Sequence, residues 1–190
     1  MAQGIILAGG FSLRAKTNKM LLNIDSKPLI IHTIEGMKPH VNKIIVVTGR
    51  YDQEIRELLK NENVTICFNK DYEKGMFSSV LTGVKAVADD FFIIPGDIPF
   101  VKKETYQALL KGTKKVRYPI YKGKQGHPLF IQKELINELL KEPIDSNLKA
   151  FRDRQDKEEI EVNDENILKD IDTIEQYNNV IEERKKVIWV

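Results

Sequence analysis

The sequence of 190 residues has few of the features that mark several large classes of protein. It has one cysteine, Cys67, which excludes an internal disulfide, and the apolar run around this residue favours a buried thiol. No apolar run approaches the roughly 18–20 residues that a membrane-spanning helix needs. Residues 1–7 lead directly into a strand pattern and lack the basic region of a signal peptide, which favours a cytoplasmic protein.

A strong excess of charge of one sign is also absent. The 30 basic and 28 acidic residues leave a net charge of +2. Residues 151–190 are acidic, with 12 acidic against 7 basic side chains, so the rest of the chain has a mild positive excess that suits a phosphorylated ligand. Nucleic-acid-binding proteins have a denser basic footprint. We therefore predict no nucleic-acid partner and no membrane partner.

Short β-branched runs alternate with segments of helical periodicity along the whole chain. This alternation predicts an α/β fold with three layers, right-handed crossovers and a mainly parallel sheet. No linker interrupts it, so we predict one domain over residues 1–190. Strands are predicted at residues 4–8, 43–48, 64–68, 90–95, 116–121, 127–132 and 159–162, and helices at 28–37, 53–60, 78–87, 102–111, 133–140, 146–152 and 173–183. Because ligands of such sheets bind at the carboxyl ends of the strands, polar residues there are the candidates for function.

The loop after the first strand has the sequence LAGGFSLR over residues 7–14. Gly9 and Gly10 let the backbone approach an anion closely and adopt positive φ, and free N–H groups in such a loop bind phosphate oxygens. Arg14 and Lys19 follow at distances that let both reach the same anion. The loop matches neither of the two common glycine-rich phosphate motifs, and a simple turn explains the two glycines equally well.

Asp97 follows the most apolar predicted strand, within the segment PGDIP. A carboxylate in this position is costly to hold unless a cation meets it, and Mg²⁺ bound by one or two carboxylates and substrate phosphates is a natural partner. The alternative is that Asp97 caps a helix that begins near Val101. The position at the end of a central strand favours the metal.

Two serines and a histidine lie in further segments that follow predicted strands. Ser78 and Ser79 either cap the helix that follows or face a nucleotide. His127, in the segment GHP, has no cysteine or histidine at metal-ligand spacing, which argues against zinc.

Asp170 and Asp172 are separated by one residue near the end of the chain. In a short strand both side chains would point the same way, and they could join Asp97 around one ion. The alternative is that Asp172 and Thr173 only cap the last helix.

Five motifs together resemble those of the MobA-like nucleotidyltransferase family, and their order is the same. The sequence is most similar to the molybdenum cofactor cytidylyltransferase (MocA-like) branch of that family. The motifs are LAGGFSLR followed by Lys19, GMFSSVLTG at 75–83, GDIP at 96–99, GHP at 126–128 and DIDT at 170–173.

The resemblance implies a Rossmann-like fold and Mg²⁺-dependent transfer of a nucleotidyl group from an NTP, CTP or GTP, to a phosphorylated acceptor, molybdopterin in the branch named above. The nucleotide-binding residues that it implies are Leu7, Ala8, Gly9, Gly10, Ser12, Ser78, Ser79 and Gly83. The implied catalytic residues are Arg14, Lys19 and Asp97, and the implied Mg²⁺ ligands are Asp97, Asp172 and Asp170. Gly126, His127 and Pro128 are implied to lie toward the acceptor.

Three other functions remain open at this point. A guanylyltransferase of the same family is one, and a nucleotidyltransferase for a sugar 1-phosphate or phosphocholine is the second. The third is a non-catalytic accessory protein that holds a cofactor for a molybdoenzyme. It is motivated by two departures from the family pattern, Ala15-Lys16 and residues 145–150.

Overall fold

The computed structural model describes residues 1–10 and 18–188 of the chain. Over these residues eight strands form one sheet, and two short strands form a separate hairpin. The strands of the sheet are β1 (Gln3–Ala8), β4 (Lys43–Thr48), β5 (Thr65–Phe68), β6 (Phe91–Pro95), β7 (Val116–Tyr121), β8 (Lys124–Gln125), β9 (Leu129–Ile131) and β10 (Lys157–Glu161). The hairpin consists of β2 (Asn23–Ile24) and β3 (Lys27–Pro28).

The sheet is mainly parallel and includes two antiparallel strands, β8 and β9. The order of its strands is β10-β7-β9-β6-β1-β4-β5, with β8 paired to β7. Strand β1 lies between β4 and β6 and is parallel to both, and β5 is parallel to β4. Strand β9 is antiparallel to both β6 and β7, so β6 and β7 on either side of it point in the same direction, and β10 is parallel to β7. The carboxyl ends of β1, β4, β5 and β6 therefore lie at one edge.

Helices cover both faces of this sheet. They are α1 (Leu29–Met37), α2 (Asp52–Leu58), α3 (Met76–Val84), α4 (Lys103–Lys111), α5 (Ile136–Leu139), α6 (Leu148–Asp153) and α7 (Ile174–Ile188). Alternate residues of the central strands face opposite sides, as the strand period of two requires. Ile6 and Ile94 pack with α1, α2 and α4 in one apolar core, whereas Ile5 and Ile93 pack with α3, α5 and α6 in the other.

A third, smaller apolar cluster joins the hairpin to the last helix. Ile24 and Leu29 pack on Ile171, and Tyr177 and Val180 of α7 cover them. The Tyr177 hydroxyl donates a hydrogen bond to the backbone oxygen of Asn23 at 2.5 Å. Helix α7 is thereby attached close to the segment with Lys19, which precedes the hairpin, and to residues 170–173, which precede the helix itself.

The three-layer α/β fold predicted from the sequence is confirmed, and most element boundaries agree within a few residues. The single domain over 1–190 stays a prediction. The third helix begins at Met76, two residues before its predicted start, and residues 170–172 form no strand. Cys67, which we expected to be buried, is half-buried at the edge strand β5. Within the described residues no helix has the length and apolar character needed to cross a membrane.

Candidate active site

A cavity of about 560 Å³ opens at the carboxyl ends of the parallel strands. This volume falls within the range of about 300–1,000 Å³ that is typical of small-molecule sites. Residues 7–10, at the end of β1 and directly after it, line one side, and residues 125–127, Ile167 and Leu168 line the opposite side. Lys19, Asp97, Asp170 and Asp172 line the part between them. All five sequence motifs therefore contribute residues to this one cavity, and the motif at 75–83 contributes Met76 and Ser79 among them.

The backbone after β1 passes very close to helix α3. A Cβ atom on Gly9 would lie 2.8 Å from Oγ of Ser79, so a side chain at this position would collide with the helix. A Cβ on Gly10 would meet no atom of the described residues within 4 Å. Neither glycine has the positive φ that we expected, since among the described glycines only Gly75 and Gly123 have it. Gly9 is required by close approach to a neighbour, and Gly10 lines the cavity.

The two serines of α3 take part in a buried polar network. Helix α3 begins after Gly75, which has φ 102°, so Ser78 and Ser79 lie inside its first turns and do not cap it through their side chains. The Asn69 amide donates hydrogen bonds to Oγ of Ser78 at 2.7 Å and of Ser79 at 3.0 Å. The Ser78 hydroxyl also lies 2.7 Å from the backbone oxygen of Gly75. Only Ser79 of the pair lines the cavity, so Ser78 and Asn69 support the wall from behind.

Gly83 lies away from the cavity, in the middle of α3. A Cβ atom there would lie 2.5 Å from Cγ2 of Ile5 and 3.0 Å from Cγ2 of Val47. The glycine therefore lets the helix pack tightly on β1 and β4. This geometry gives Gly83 a packing role, and the contact with nucleotide implied by the family resemblance stays a prediction.

Lys19 joins two of the carboxylates in the cavity. Its ammonium group donates hydrogen bonds to Asp97 and, at 2.5 Å, to Oδ1 of Asp172. Burial by itself lowers the pKa of Lys19, but the charge of Asp97 and the hydrogen bonds to both aspartates outweigh it, so the pKa is raised. Lys19 therefore stays a cation in the cavity at neutral pH.

The backbone around Asp97 is held from three sides. The Gly96 N–H donates to the Leu7 oxygen at 2.9 Å, the Thr33 hydroxyl donates to the Gly96 oxygen at 2.9 Å, and the Ile171 N–H donates to the Asp97 oxygen at 3.0 Å. The last of these bonds links the loop after β6 to the segment that carries Asp172.

Asp97 does not cap the helix that follows it. Helix α4 begins at Lys103, and the carboxylate near its start is Asp164, which accepts hydrogen bonds from the Lys102 N–H at 2.7 Å and the Thr105 hydroxyl at 2.8 Å. Oδ1 of Asp97 is buried and has no hydrogen-bond partner among the residues that the structure describes. A buried carboxylate oxygen without a partner is costly, so this atom is available to a cation.

The segment 170–173 caps the last helix and also lines the cavity. Thr173 caps α7, because its hydroxyl oxygen accepts from the Gln176 N–H at 3.1 Å and the Gln176 side chain accepts from the Thr173 N–H at 2.8 Å. Asp170 and Asp172 still face the same cavity although they form no strand. Burial, together with a hydrogen bond to Asp172 and the charge of that neighbour, raises the pKa of Asp170.

On the opposite wall, Gly126 and His127 are fixed against residue 167. A Cβ on Gly126 would lie 2.5 Å from the Ile167 oxygen, and the His127 N–H donates to that same oxygen at 3.0 Å. His127 precedes Pro128 through a cis peptide bond. Nδ1 of His127 is buried without a hydrogen-bond partner among residues 1–10 and 18–188. Burial lowers the pKa of this histidine to about 4, so its ring is neutral at pH 7.

Some of the residues that line the cavity were not singled out in the sequence, and two that were singled out lie outside the described residues. Ser12 and Arg14 are the latter. Asn18, Tyr72 and Gln125 line the cavity but belong to no recognised motif. Asn18 had a weak signal, because it precedes Lys19 directly; its Oδ1 accepts from the Met20 N–H at 3.1 Å and caps the short 3-10 helix Lys19–Leu21.

The carboxylates fit a metal ion that is shared with a substrate. Within the described part of the chain no three or more His, Cys, Asp or Glu side chains form a group that could hold an ion alone. Mg²⁺ typically takes one or two protein carboxylates and completes its shell with water and phosphate oxygens. The unpartnered oxygen of Asp97 and the neighbouring Asp172 match that more modest requirement.

Comparison with known proteins agrees with this geometry. The family model described as "MobA-like NTP transferase domain" matches residues 4–160. Molybdenum cofactor cytidylyltransferase of Escherichia coli (strain K12) is 28% identical over 91% of this chain and 92% of its own length. A probable molybdenum cofactor guanylyltransferase of Natranaerobius thermophilus is 25% identical over 78% of each chain.

Solved structures show the same fold. A nucleotidyl transferase from Methanothermobacter thermautotroptrophicus superposes with a TM-score of 0.84 at 20% identity, covering 98% of this chain and 99% of the other. The family model covers most of the sheet and the first four motifs of the cavity. The chain belongs to the MobA-like NTP transferase family and is a nucleotidyltransferase similar to the enzymes that transfer cytidylyl or guanylyl groups to the molybdenum cofactor.

Proposed function

We propose that this protein is a Mg²⁺-dependent cytidylyltransferase that moves CMP from CTP to molybdopterin and releases pyrophosphate. One observation carries the proposal: Lys19, Asp97 and Asp172 form a charged cluster at the strand ends, inside a cavity that residues 7–10 line on one side. The molybdenum cofactor cytidylyltransferase is more similar to this chain, at 28% identity over 91% of it, than the guanylyltransferase, at 25% over 78%, which favours CTP.

In the proposed reaction an oxygen of the acceptor phosphate attacks the α-phosphorus of the nucleotide. The bond between that phosphorus and the oxygen bridging to the β-phosphate breaks, and pyrophosphate leaves with the bonding pair. A phosphate is already ionised at pH 7, so the nucleophile needs no general base. Positioning and charge neutralisation are then the main tasks of the protein.

The residues of the chain divide these tasks. Lys19 places a permanent positive charge beside the phosphates, and the glycines at residues 9 and 10, which line the cavity, let the backbone approach them closely. Asp97 and Asp172, with Asp170 beside them, would hold Mg²⁺, which when bound neutralises charge on the phosphate oxygens. Ser12 and Arg14 belong to the same motif and complete the proposed triphosphate site. Gly126, His127 and Pro128 form the side that faces the acceptor.

The proposal is tested by measuring pyrophosphate release with CTP, GTP, ATP and UTP, each with and without molybdopterin, in Mg²⁺ or in excess chelator. We expect turnover with CTP that requires both molybdopterin and Mg²⁺. Turnover with GTP in place of CTP would assign the protein to the guanylyl-transferring relatives. Turnover with a sugar 1-phosphate and not with molybdopterin would contradict the acceptor, and no turnover with any NTP would favour the accessory protein.

A further inference from the structure

Asn18 is a residue of the cavity lining that the proposed reaction does not use. It belongs to none of the five motifs, and it directly precedes Lys19, whose ammonium reaches Asp97 and Asp172. Only 7% of the surface of Asn18 is exposed. A polar side chain that is so deeply buried beside a charged cluster needs an explanation of its own.

The backbone holds Asn18 in one place. Its carbonyl oxygen accepts from the Leu21 N–H at 3.0 Å, within the short 3-10 helix Lys19–Leu21. Met20, in the middle of that helix, is buried, and its sulfur lies 3.0 Å from the position that a Cβ on Gly96 would take. The 3-10 helix is therefore packed on the loop that follows β6, and Asn18 is fixed at its start.

A hydrogen bond within this segment also determines which end of the Asn18 amide is which. The Met20 N–H lies 3.1 Å from Oδ1 of Asn18. A backbone N–H can only donate, so the atom that it meets must be the amide oxygen and not the nitrogen. Nδ2 is therefore the other end of the amide, and its two N–H groups can donate hydrogen bonds but cannot accept them.

Nδ2 of Asn18 is buried and has no hydrogen-bond partner among the residues that the structure describes. A buried donor in this condition is costly, because it has lost its hydrogen bonds to water and has gained none from the protein. Oδ1 of Asp97 is in the same condition, but a carboxylate oxygen needs a cation or a donor, whereas Nδ2 needs an acceptor. Because Asn18 lines the cavity, a ligand bound there can supply the acceptor.

The chemistry of the amide nitrogen narrows the choice of ligand atom. This nitrogen serves only as a donor, so it cannot ligate a metal ion, which takes oxygen ligands in a site of this kind. Phosphate oxygens are acceptors that carry negative charge, and hydrogen bonds from N–H groups to charged acceptors are stronger than those between neutral groups. Lys19, the next residue, is the cation that the proposed function places beside the phosphates.

We propose that Asn18 binds the triphosphate of the nucleotide, with Nδ2 donating a hydrogen bond to a phosphate oxygen. The two ends of one side chain then have separate tasks: Oδ1 caps the 3-10 helix that carries Lys19, and Nδ2 binds the ligand. The inference rests on the proposed function for the identity of the ligand, but it concerns binding and is tested without turnover.

Two substitutions separate the two ends of the side chain. Asn18→Ser and Asn18→Asp both keep an oxygen that can cap the 3-10 helix, and both remove Nδ2. The probes are CTP and inorganic tripolyphosphate with Mg²⁺, and calorimetric titration of the full chain without acceptor gives their Kd values. We expect Asn18→Ser to raise both Kd values about tenfold, which is the loss typical of removing a hydrogen bond to a charged group. Asn18→Asp should raise them further, because its carboxylate repels the phosphates.

The control is Asn178→Asp, which makes the same chemical change at an exposed residue of α7 that does not line the cavity. It should leave both Kd values unchanged. Urea unfolding checks the fold of the variants. The midpoints of Asn18→Ser and Asn18→Asp should stay close to that of the wild type, whereas Asn18→Ala, which also loses the cap, should unfold at a lower urea concentration.

Unchanged Kd values in both Asn18→Ser and Asn18→Asp would overturn the proposal. A raised Kd for CTP with an unchanged Kd for tripolyphosphate would overturn the assignment to phosphate, since the contact would then lie on the nucleoside. If the wild-type protein binds CTP but transfers no nucleotide, the proposed function fails and the binding role of Asn18 stands. A wild-type protein that binds neither CTP, GTP nor tripolyphosphate would overturn both.

Discussion

The two walls of the cavity at the strand ends are built from different kinds of structure. The nucleotide wall consists of residues at the end of the parallel strand β1 and directly after it, together with the start of α3. The acceptor wall consists of Gly126 and His127, which lie between the antiparallel strands β8 and β9, and of Ile167 and Leu168, which belong to a 3-10 helix. Parallel strands bring their carboxyl ends to one edge whatever the loops contain. The acceptor wall has no such rule and depends on specific contacts such as that of His127 with Ile167.

This difference indicates where the protein can change its specificity. A wall fixed by sheet topology tolerates little change, whereas a wall held by loop contacts can alter its shape without disturbing the fold. We expect substitutions at the charged cluster to abolish the reaction as a whole, and substitutions on the acceptor wall to change stability or acceptor binding. The following predictions test that division, beginning with the largest expected effect.

Replacing Asp97 should have the largest effect on the reaction. Asp97→Asn keeps the volume of the side chain but removes the charge that meets Lys19 and the proposed metal. We expect kcat/KM to fall about 10²–10³-fold, the size of loss seen when one preorganised electrostatic group is removed from an active site. Pyrophosphate release measures this, and calorimetry should find the fold intact. The control is Asp156→Asn, which removes an exposed ion pair with Lys114. Near-normal activity of Asp97→Asn would rule out its metal role.

His127 should make the stability of the protein depend on pH. Its pKa is about 4 in the folded chain and 6.5 when exposed, so between these values the unfolded chain binds a proton that the folded chain does not. This contribution to stability is complete above pH 6.5 and is lost as the pH falls toward 4. We expect a loss of up to about 3 kcal/mol. Urea titrations of wild type and His127→Gln across this range measure it, and parallel curves for the two proteins would contradict the prediction.

Gly83, behind the nucleotide wall, and Gly126, within the acceptor wall, offer a direct comparison. Gly83→Ala and Gly126→Ala both place a methyl group about 2.5 Å from a neighbouring atom, and each should cost about 1–3 kcal/mol of stability. Gly83 packs behind the nucleotide wall, so its variant should bind CTP with an unchanged KM. Gly126 holds His127, so its variant should also raise the KM for the acceptor. A raised KM for CTP in Gly83→Ala would instead support the nucleotide contact that the family resemblance implies.

The smallest predicted effect concerns the cap of the last helix. Thr173→Ala removes the hydroxyl that accepts from the Gln176 N–H, and it should lower the free energy of unfolding by about 1 kcal/mol. Thr173→Ser keeps the hydroxyl and should restore the loss. Because Asp172 directly precedes Thr173, we expect Thr173→Ala to lower kcat only modestly. A fall in activity as large as that caused by Asp97→Asn would mean that the position of α7 directly controls the proposed metal ligands.

Much of the nucleotide wall, and Asp97 of the charged cluster, could be predicted from the sequence, since these residues follow strands that alternation of apolar runs already revealed. Asp97 and residues 7–10 are examples: their position after a buried strand implied their position at the edge of the sheet. Gly83 could not be assigned in this way, because a glycine that allows close packing and a glycine that faces a ligand look the same in a motif. Only the nearness of Ile5 and Val47 distinguishes them.

The sequence by itself determined the class of fold, the order of the motifs and the family, because local periodicity and strand-end position are properties of neighbouring residues. The tertiary structure alone decided that Lys19 bridges Asp97 and Asp172, which are 78 and 153 residues away along the chain. It alone revealed a second cavity of about 260 Å³ beside the first, whose walls come from the ends of β1 and β6, from the start of α3, from His127 and from residues 144–148. Such contacts depend on how distant segments pack, and the side-chain types at those positions are compatible with many other arrangements.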